Sequence, residues 1–245
     1  MPRFYVPPSA IHNHRFRLVG AEAHHALQVL RKRVGDEIDL FDGKDRAYRG
    51  RIDTIAEDAL TGTIVATAAT VDRGAEIWLF AALIKGPRWD WLVQKACEVG
   101  VDVLVPLQTQ RTVVDLNGKE IAGKLERWNR IALEAAKQCG RHAAMQVVAP
   151  QPFLESFKTA LDIRLFPWEK EGQRNLREAC AGFAGSRIGL WIGPEGGWDP
   201  REAEQAMAQG AVSVTLGTPL LRSETAGIVA AAIVAHELAT RPPKC

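Results

Sequence analysis

The chain has 245 residues, 47% hydrophobic and 24% charged, the composition of an ordinary globular protein with room for one large domain or two smaller ones. A formal net charge of +2 does not by itself announce a polyanionic partner, since a mild excess of base equally serves solubility. Cys97, Cys139, Cys180 and Cys245 are widely spaced with no C-x-x-C pair, which excludes a disulfide framework or zinc knuckle and leads us to expect reduced thiols and no metal.

The N-terminus lacks the basic-then-apolar layout of a signal peptide. The longest alanine-rich apolar run, Ala226 to Ala235, has ten residues, against roughly 20 needed to cross a bilayer. A soluble, cytoplasmic protein without membrane contact is therefore expected.

Residues 1–72 read as a small β-rich domain with one helix. Ala21 to Arg31 sets Ala23, Ala26, Leu27 and Leu30 at helical spacing and stops before Gly35. Three strand-like runs follow, Glu37 to Phe41, Ala47 to Ile55 and Leu60 to Thr67, divided by Asp42-Gly43 and Glu57-Asp58. This stretch carries ten Lys+Arg and ten Asp+Glu, yet Arg15, Arg17, Arg31, Lys32 and Arg33 gather beside His12, His14, His24 and His25. Two readings stand: a solvated face, or a patch that contacts phosphates, where Arg and Lys supply sequence-independent nucleic-acid affinity.

Val71 to Ala75 reads as a linker, and residues 73–245 as a second domain in which strands and helices alternate, the pattern of a mostly parallel α/β sheet. Ile77 to Ile84 is a nearly continuous apolar run, as in a strand buried on both faces. Lys85-Gly86-Pro87 opens a helix to Val99, with Trp89, Leu92, Val93, Ala96 and Val99 on one side and Asp90, Gln94, Lys95 and Glu98 on the other. Val103 to Leu107 is a second strand, and Gln108 to Thr112 a polar loop. A helix from Lys119 to Gln138 ends at Cys139-Gly140. Ile163 to Phe166, Arg187 to Ile192 and Val212 to Leu216 are further strands, and Asp199-Pro200-Arg201-Glu202 is a strong helix start. The last helix, Glu224 to Leu238, is apolar on nearly every side, which suits burial in a core or against another subunit.

Two glycine-containing loops follow two of these strands. They are Ile192-Gly193-Pro194-Glu195-Gly196-Gly197-Trp198-Asp199 and the stretch from Leu216 to Ala226, reading LGTPLLRSETA. Each leads into a helix, so both sit where open α/β sheets bind ligands. The first lacks the lysine and hydroxyl of a P-loop and the G-x-G-x-x-G spacing of a dinucleotide site. It also puts Pro194 and Glu195 where a KH-type clamp would face phosphate, and a carboxylate there repels. Glycines that admit a flat group, beside a carboxylate, suit a ligand with a planar base and positive charge, and S-adenosylmethionine has both. One such loop is better explained as a structural turn; two after strands of one sheet favour a ligand site.

The set IGPEGGW, LGTPLLRSETA, KGPRWDWLVQKACEVGV and KQCGR, with HHALQVLRKRVGDEIDLFDG near the start, resembles the RsmE family of SPOUT methyltransferases across both domains. Pro87, Thr112 and Lys137 depart from the family pattern and bear on RNA contacts rather than on the fold. The resemblance implies a PUA-like RNA-binding module over 1–72 and a trefoil-knotted SPOUT methyltransferase domain over 73–245. It also implies S-adenosylmethionine as cofactor, homodimerisation partly through the last helix, and methylation of the N3 imide nitrogen of a uridine in 16S ribosomal RNA of the small subunit.

Carried over by position, the resemblance assigns the donor pocket to Phe166, Pro167, Ile192, Gly193, Pro194, Glu195, Gly196, Gly197, Leu216, Gly217, Leu220, Leu221, Ser223, Thr225 and Ala226. It lines the RNA side with Lys85, Gln94, Lys95, Glu98, Arg111, Gln138 and Arg141. Arg222, the one cation in the second loop, is expected to stabilise the uridinate charge, and Glu98 and Glu224 are the candidate proton acceptors. Cys139 is read as structural, because methylation at nitrogen needs no covalent intermediate. Two competing readings stay open: a related knotted methyltransferase acting on another RNA or at ribose 2′-oxygen, and a non-enzymatic RNA-binding or ribosome-assembly protein.

Overall fold

The computed structural model describes residues 2–68, 74–112 and 118–240 and divides into two compact units, Met1–Asp72 with Leu133–Ala144, and Arg73–Ala132 with Met145–Cys245. Most of the expected linker at Val71 to Ala75, and with it the 72/73 boundary, lies outside the described residues.

The first unit is a six-stranded sheet. Its strands are β1 (Arg3–Tyr5), β2 (Ile11–His12), β3 (Arg15–Val19), β4 (Glu37–Phe41), β5 (Ala47–Ile55) and β6 (Ala59–Ala68), in the order β1-β4-β5-β6-β3-β2. Only the β1–β4 pairing is parallel. Strict alternation drives β3: Phe16 and Leu18 point into a core with Phe4, Ile38, Leu40, Ile52 and Leu60, while Arg15, Arg17 and Val19 face out. The Phe16 ring lies so close to β5 and β6 that a Cβ on Gly50 or Gly62 would meet it at 2.4 or 2.5 Å, so those two positions admit only glycine.

The sequence predicts three strands here, and the structure adds β1 to β3. Two- and three-residue strands are too short to show a period, and the alternation of Arg15-Phe16-Arg17-Leu18 is legible but reads equally as a charge cluster. The expected helix from Ala21 to Arg31 is instead α1 (Gly20–His24), which widens into a π-helical turn over His25–Val29, where Leu30 N–H donates to His25 carbonyl at 3.0 Å. Ala23 and Ala26 are buried as their spacing requires, and Arg31, at φ 53, breaks the helix before Gly35.

In the second unit β7 (Glu76–Ala82), β8 (Val103–Gln108), β9 (Gln146–Val147), β10 (Gln151–Pro152), β11 (Ile163–Pro167), β12 (Arg187–Ile192) and β13 (Val212–Val214) form an all-parallel sheet. The order is β10-β8-β7-β12-β11-β13, with β9 also paired to β8. The helices are α2 (Pro87–Glu98), α3 (Gly118–Cys139), α4 (Phe153–Ser156), α5 (Leu176–Cys180), α6 (Pro200–Ala208) and α7 (Ser223–Ala239); the C-terminal end of α3 groups with the first unit.

An aromatic layer fills one side of the sheet. Trp191 lies between Phe80, with centroids 4.2 Å apart, and Phe157, at 4.8 Å, and its indole N–H donates to the buried Ser156 hydroxyl at 2.9 Å. On the other side α7 packs against α2, β7 and β12, and Gly227 brings it close enough that a Cβ there would meet Leu92 at 3.2 Å.

β9, β10, α4 and α5 were not anticipated. Three of them are four residues or fewer, but α5 had a usable signal, the capping box of Asn175 and Glu178. β13 ends before the expected Leu216 because Thr215 N–H bonds to the Arg174 carbonyl, drawing the chain away from β11. Cys97 and Cys180 are buried, and Cys139 is exposed at the end of α3. No helix among the described residues is long and apolar enough to cross a membrane.

Candidate functional site

Because the strands are all parallel, the segments that leave β7, β8, β11, β12 and β13 emerge along one edge of the sheet. That edge carries Lys85, the Thr109–Thr112 turn, Pro167 to Glu171, the loop 193–199 and the loop 215–222. Carboxyl ends of parallel strands are where α/β sheets place ligands.

The first loop is a tight turn, closed by Gly197 N–H to the Pro194 carbonyl at 2.9 Å, and Gly197 takes φ 69, a conformation that favours glycine. Trp198 fixes it from below. The indole stacks on Phe166 with centroids 4.5 Å apart and donates to the Pro167 carbonyl at 3.2 Å. Asp199 then caps α6 in a capping box with Glu202, as Asp-Pro-Arg-Glu predicts. The neighbouring β8 loop is tied in as well, with Gln110 N–H donating to Glu202 Oε1 at 2.9 Å and Arg111 to the Gly196 carbonyl at 2.8 Å. Arg111 also sits 3.4 Å from Asp199 Oδ2.

The second loop starts from β13, two strands away from β12, so about 10 Å of sheet separates their ends. It crosses the end of β11, and at its far side the Ser223 hydroxyl donates to the Gly193 carbonyl at 2.6 Å. This one bond joins the two loops into a continuous rim. Phe166, Pro167, Ile192 and Pro194 are buried beneath it, and Leu216, Leu221, Thr225 and Ala226 are half-buried around it. Leu220, expected to enclose a ligand, is 86% exposed. Gly217 takes φ 104, where the second loop turns.

Arg222 and Glu224 mark the rim where the second loop runs into α7, whereas Glu98 ends α2 on the return toward the start of β8, away from that edge. Arg222 is exposed and has no ion-pair partner among the described residues. Glu224 is 6% exposed, and its Oε2 is buried with no hydrogen-bond partner among the described residues. Glu98, the other candidate acceptor, has both oxygens 2.9 Å from the Lys95 ammonium.

Glu195 pairs with Arg88, so its carboxylate already meets a cation of the chain itself. Lys85 and Arg111 are exposed and Gln94 and Lys95 half-buried, all in the second unit, whereas exposed Gln138 and half-buried Arg141 group with the first. Among the N-terminal cations, Arg15 lies 3.8 Å from Asp53, Arg17, Arg31 and Arg33 are exposed, and Lys32 donates to the Glu37 carbonyl at 3.1 Å.

Sequence reasoning missed Arg88 and Glu169. The Glu169 carboxylate lies against Gly197, where a Cβ would meet Oε1 at 3.1 Å. Its signal was present, an acid just past a parallel strand. Nearby, Glu171 accepts from the Ser213 hydroxyl at 2.6 Å and from Gln173 and Arg174 N–H, and these bonds hold its carboxyl down at about 2.

The chain matches a family model described as RNA methyltransferase domain over residues 72–235 and one described as RNA methyltransferase PUA domain over 18–65. It is 30% identical to a ribosomal RNA small subunit methyltransferase E from Synechocystis, covering 94% of this chain and 76% of that protein. The Bacillus subtilis protein of the same description is 27% identical, over 91% and 90%. A crystal structure of a ribosomal RNA small subunit methyltransferase E from Neisseria gonorrhoeae, bound to S-adenosyl methionine, superposes with a TM-score of 0.84 at 29% identity, covering 96% and 97% of the two chains. With a family model spanning most of its length and relatives aligned over both units, the chain belongs to the RNA methyltransferase family that includes the ribosomal RNA small subunit methyltransferases E.

Proposed function

We propose that the chain is an S-adenosylmethionine-dependent methyltransferase that modifies the N3 imide nitrogen of a uridine in small-subunit ribosomal RNA, acting as a cytoplasmic homodimer with a knotted second domain. The observation that carries this reading is the bond from Ser223 to Gly193, which makes one rim of two loops that leave the sheet two strands apart.

The residues present suit the donor. Gly193, Gly196 and Gly197 put no side chain between the main chain and a flat base, although the carbonyls of 193 and 196 are already taken by Ser223 and Arg111, while Phe166, Pro167, Ile192, Pro194, Leu216 and Leu221 offer apolar surface around it. Gly217, Ser223, Thr225 and Ala226 complete the second wall, while Leu220 stands in solvent and Glu195 is exposed with Arg88. Among the described residues the buried Glu224 Oε2 has no hydrogen-bond partner, which leaves that oxygen free to accept a proton. When bound, S-adenosylmethionine supplies an electrophilic methyl group on a cationic sulfur.

The imide nitrogen of uracil holds its proton at neutral pH and becomes a good nucleophile only as that proton leaves. In this reading Arg222 stabilises the charge that develops on the base, and Glu224 Oε2 accepts the proton. Glu98 is the weaker acceptor because Lys95 already satisfies both of its oxygens. Lys85, Gln94, Lys95, Arg111, Gln138 and Arg141, with Arg15, Arg17, Arg31, Lys32 and Arg33, are the proposed RNA contacts.

The test is transfer of labelled methyl to small subunits from a strain lacking the modification, with the modified base mapped, alongside calorimetric titration with the donor. Label at uridine N3 and saturable donor binding are expected. Label at a ribose oxygen or another base overturns the substrate assignment, and absence of donor binding overturns the enzyme.

A further inference from the structure

A second concave feature is lined, among the described residues, by the first unit, on the side of β5 and β6 that carries Tyr48 and Ile64 toward the core. It is a groove of about 340 Å³, lined by Ile11, His14, Arg46, Tyr48, Ile64 and Thr67, near the small end of the range for ligand sites. The sheet makes it by narrowing. β3 pairs with β6 only as far as Arg15 opposite Thr63, and beyond the bond from Ile64 N–H to the His14 carbonyl, β6 continues to Ala68 paired with β5 alone. Asn13 and His14, at φ 49 and 59, form the two-residue turn of the β2–β3 hairpin and hold the histidine at the rim.

The walls are pre-organised. Ile11, Tyr48 and Ile64 rest on the core of the unit, so the aromatic ring and its two aliphatic neighbours are backed by packed side chains. The Tyr48 hydroxyl reaches Asp42 Oδ2 at 3.4 Å, and that carboxylate is itself held by Lys44 N–H at 2.8 Å and Arg46 N–H at 3.1 Å. Burial and the Asp42 charge push the Tyr48 hydroxyl above its ordinary value. Arg46 and His14 are exposed at the opening. A flat aromatic floor with aliphatic sides and a cation at the mouth is the chemistry of base stacking combined with phosphate contact.

We propose that this groove seats one unpaired nucleotide of the RNA substrate, its base on the Tyr48 ring between Ile11 and Ile64 and its phosphate at Arg46 with His14. The proposal rests on the reading of the chain as an RNA methyltransferase, and it adds a base contact, apart from the five cations, to a unit for which a phosphate-contacting patch was the expectation.

The test uses the full chain and a labelled single-stranded RNA, with binding followed by fluorescence anisotropy across a salt series, and donor binding measured on the same samples. Tyr48→Ala is expected to weaken RNA binding roughly tenfold, as for loss of one stacked base, with Tyr48→Phe retaining it. Arg46→Gln, which leaves the ring in place, is expected to flatten the dependence of log affinity on log salt by about 0.7. Both should bind the donor as the parent does. Parental affinity and salt slope in both Arg46→Gln and Tyr48→Ala, in a chain that still methylates RNA, overturn the groove alone. Failure of the parent chain to bind either RNA or the donor overturns the proposed function as well.

Discussion

Glu224 lies in the first turn of α7, with an oxygen that neither the helix nor its neighbours satisfies. A carboxylate in that position is costly unless something with a donor or positive charge arrives to meet it. We therefore expect Glu224→Gln to keep donor affinity within about threefold while slowing single-turnover methyl transfer by roughly 100-fold or more, the usual range for a general base. Glu98→Gln, whose parent residue is already neutralised by Lys95, should slow it less than about tenfold. Arg222→Ala should likewise reduce the chemical step by about 100-fold with donor binding intact; unchanged single-turnover rates would reject the role.

Another residue pair explains a departure from the family pattern. Lys137 is 14% exposed and Glu22 17%, and they meet at 2.7 Å. Burial pulls the Lys137 ammonium down, but hydrogen bonds and charge from Glu22 and Glu134 outweigh it and hold the group above its ordinary value. Lys137→Glu sets two carboxylates together and should cost about 2 kcal/mol or more in urea unfolding, with Glu22→Lys added to it restoring most of the loss.

At the scale of elements, the site is made by the loops that leave the strands rather than by the strands themselves. The segment after β11 is pinned to β13 through Glu171 and Ser213, and its pH dependence comes from the sign of the shift. The folded carboxyl titrates at about 2, below the ordinary value near 4.3 for an unfolded chain, so its contribution is present above that ordinary value and is lost as pH falls from there toward 2. Thermal melts across that window should show Glu171→Gln less stable than the parent at pH 7 and the gap closing by about pH 2, as the linkage requires. A gap that persists at the acid end would mean the segment is held by something other than ionised Glu171. The loops themselves were readable as glycine-rich stretches after strands, since glycine spacing and strand endings are local. Their meeting was implied by the family resemblance and not by local pattern, because Ser223 and Gly193 are 30 residues apart in sequence and their loops leave strands two positions apart in the sheet.

For the molecule as a whole, α7 is apolar on nearly every side, and a single sheet face cannot bury all of it. Gly227, Ala230, Ala231 and Val234 are covered within the chain, whereas Ile228, Val229 and Ile233 are only half-buried and Ala232 is exposed. In the proposed homodimer that remaining stripe meets the partner, so Ala232→Arg, which disturbs nothing inside the chain, should shift sedimentation from dimer to monomer. A monomeric parent chain would remove the premise.

By itself the sequence determined the α/β class of residues 73–245, the β-rich character of the first 72, the strong helix start at Asp199 and the two loops, because periodicity, capping and glycine placement are properties of neighbouring residues. Tertiary structure alone decided which carboxylate is satisfied and which is orphaned, that Lys137 has an acidic partner, that Leu220 stands in solvent, and where the six-stranded sheet narrows into a groove. Each of these depends on which distant segments pack together, and partner choice across a sheet is set by register and burial that no local pattern encodes.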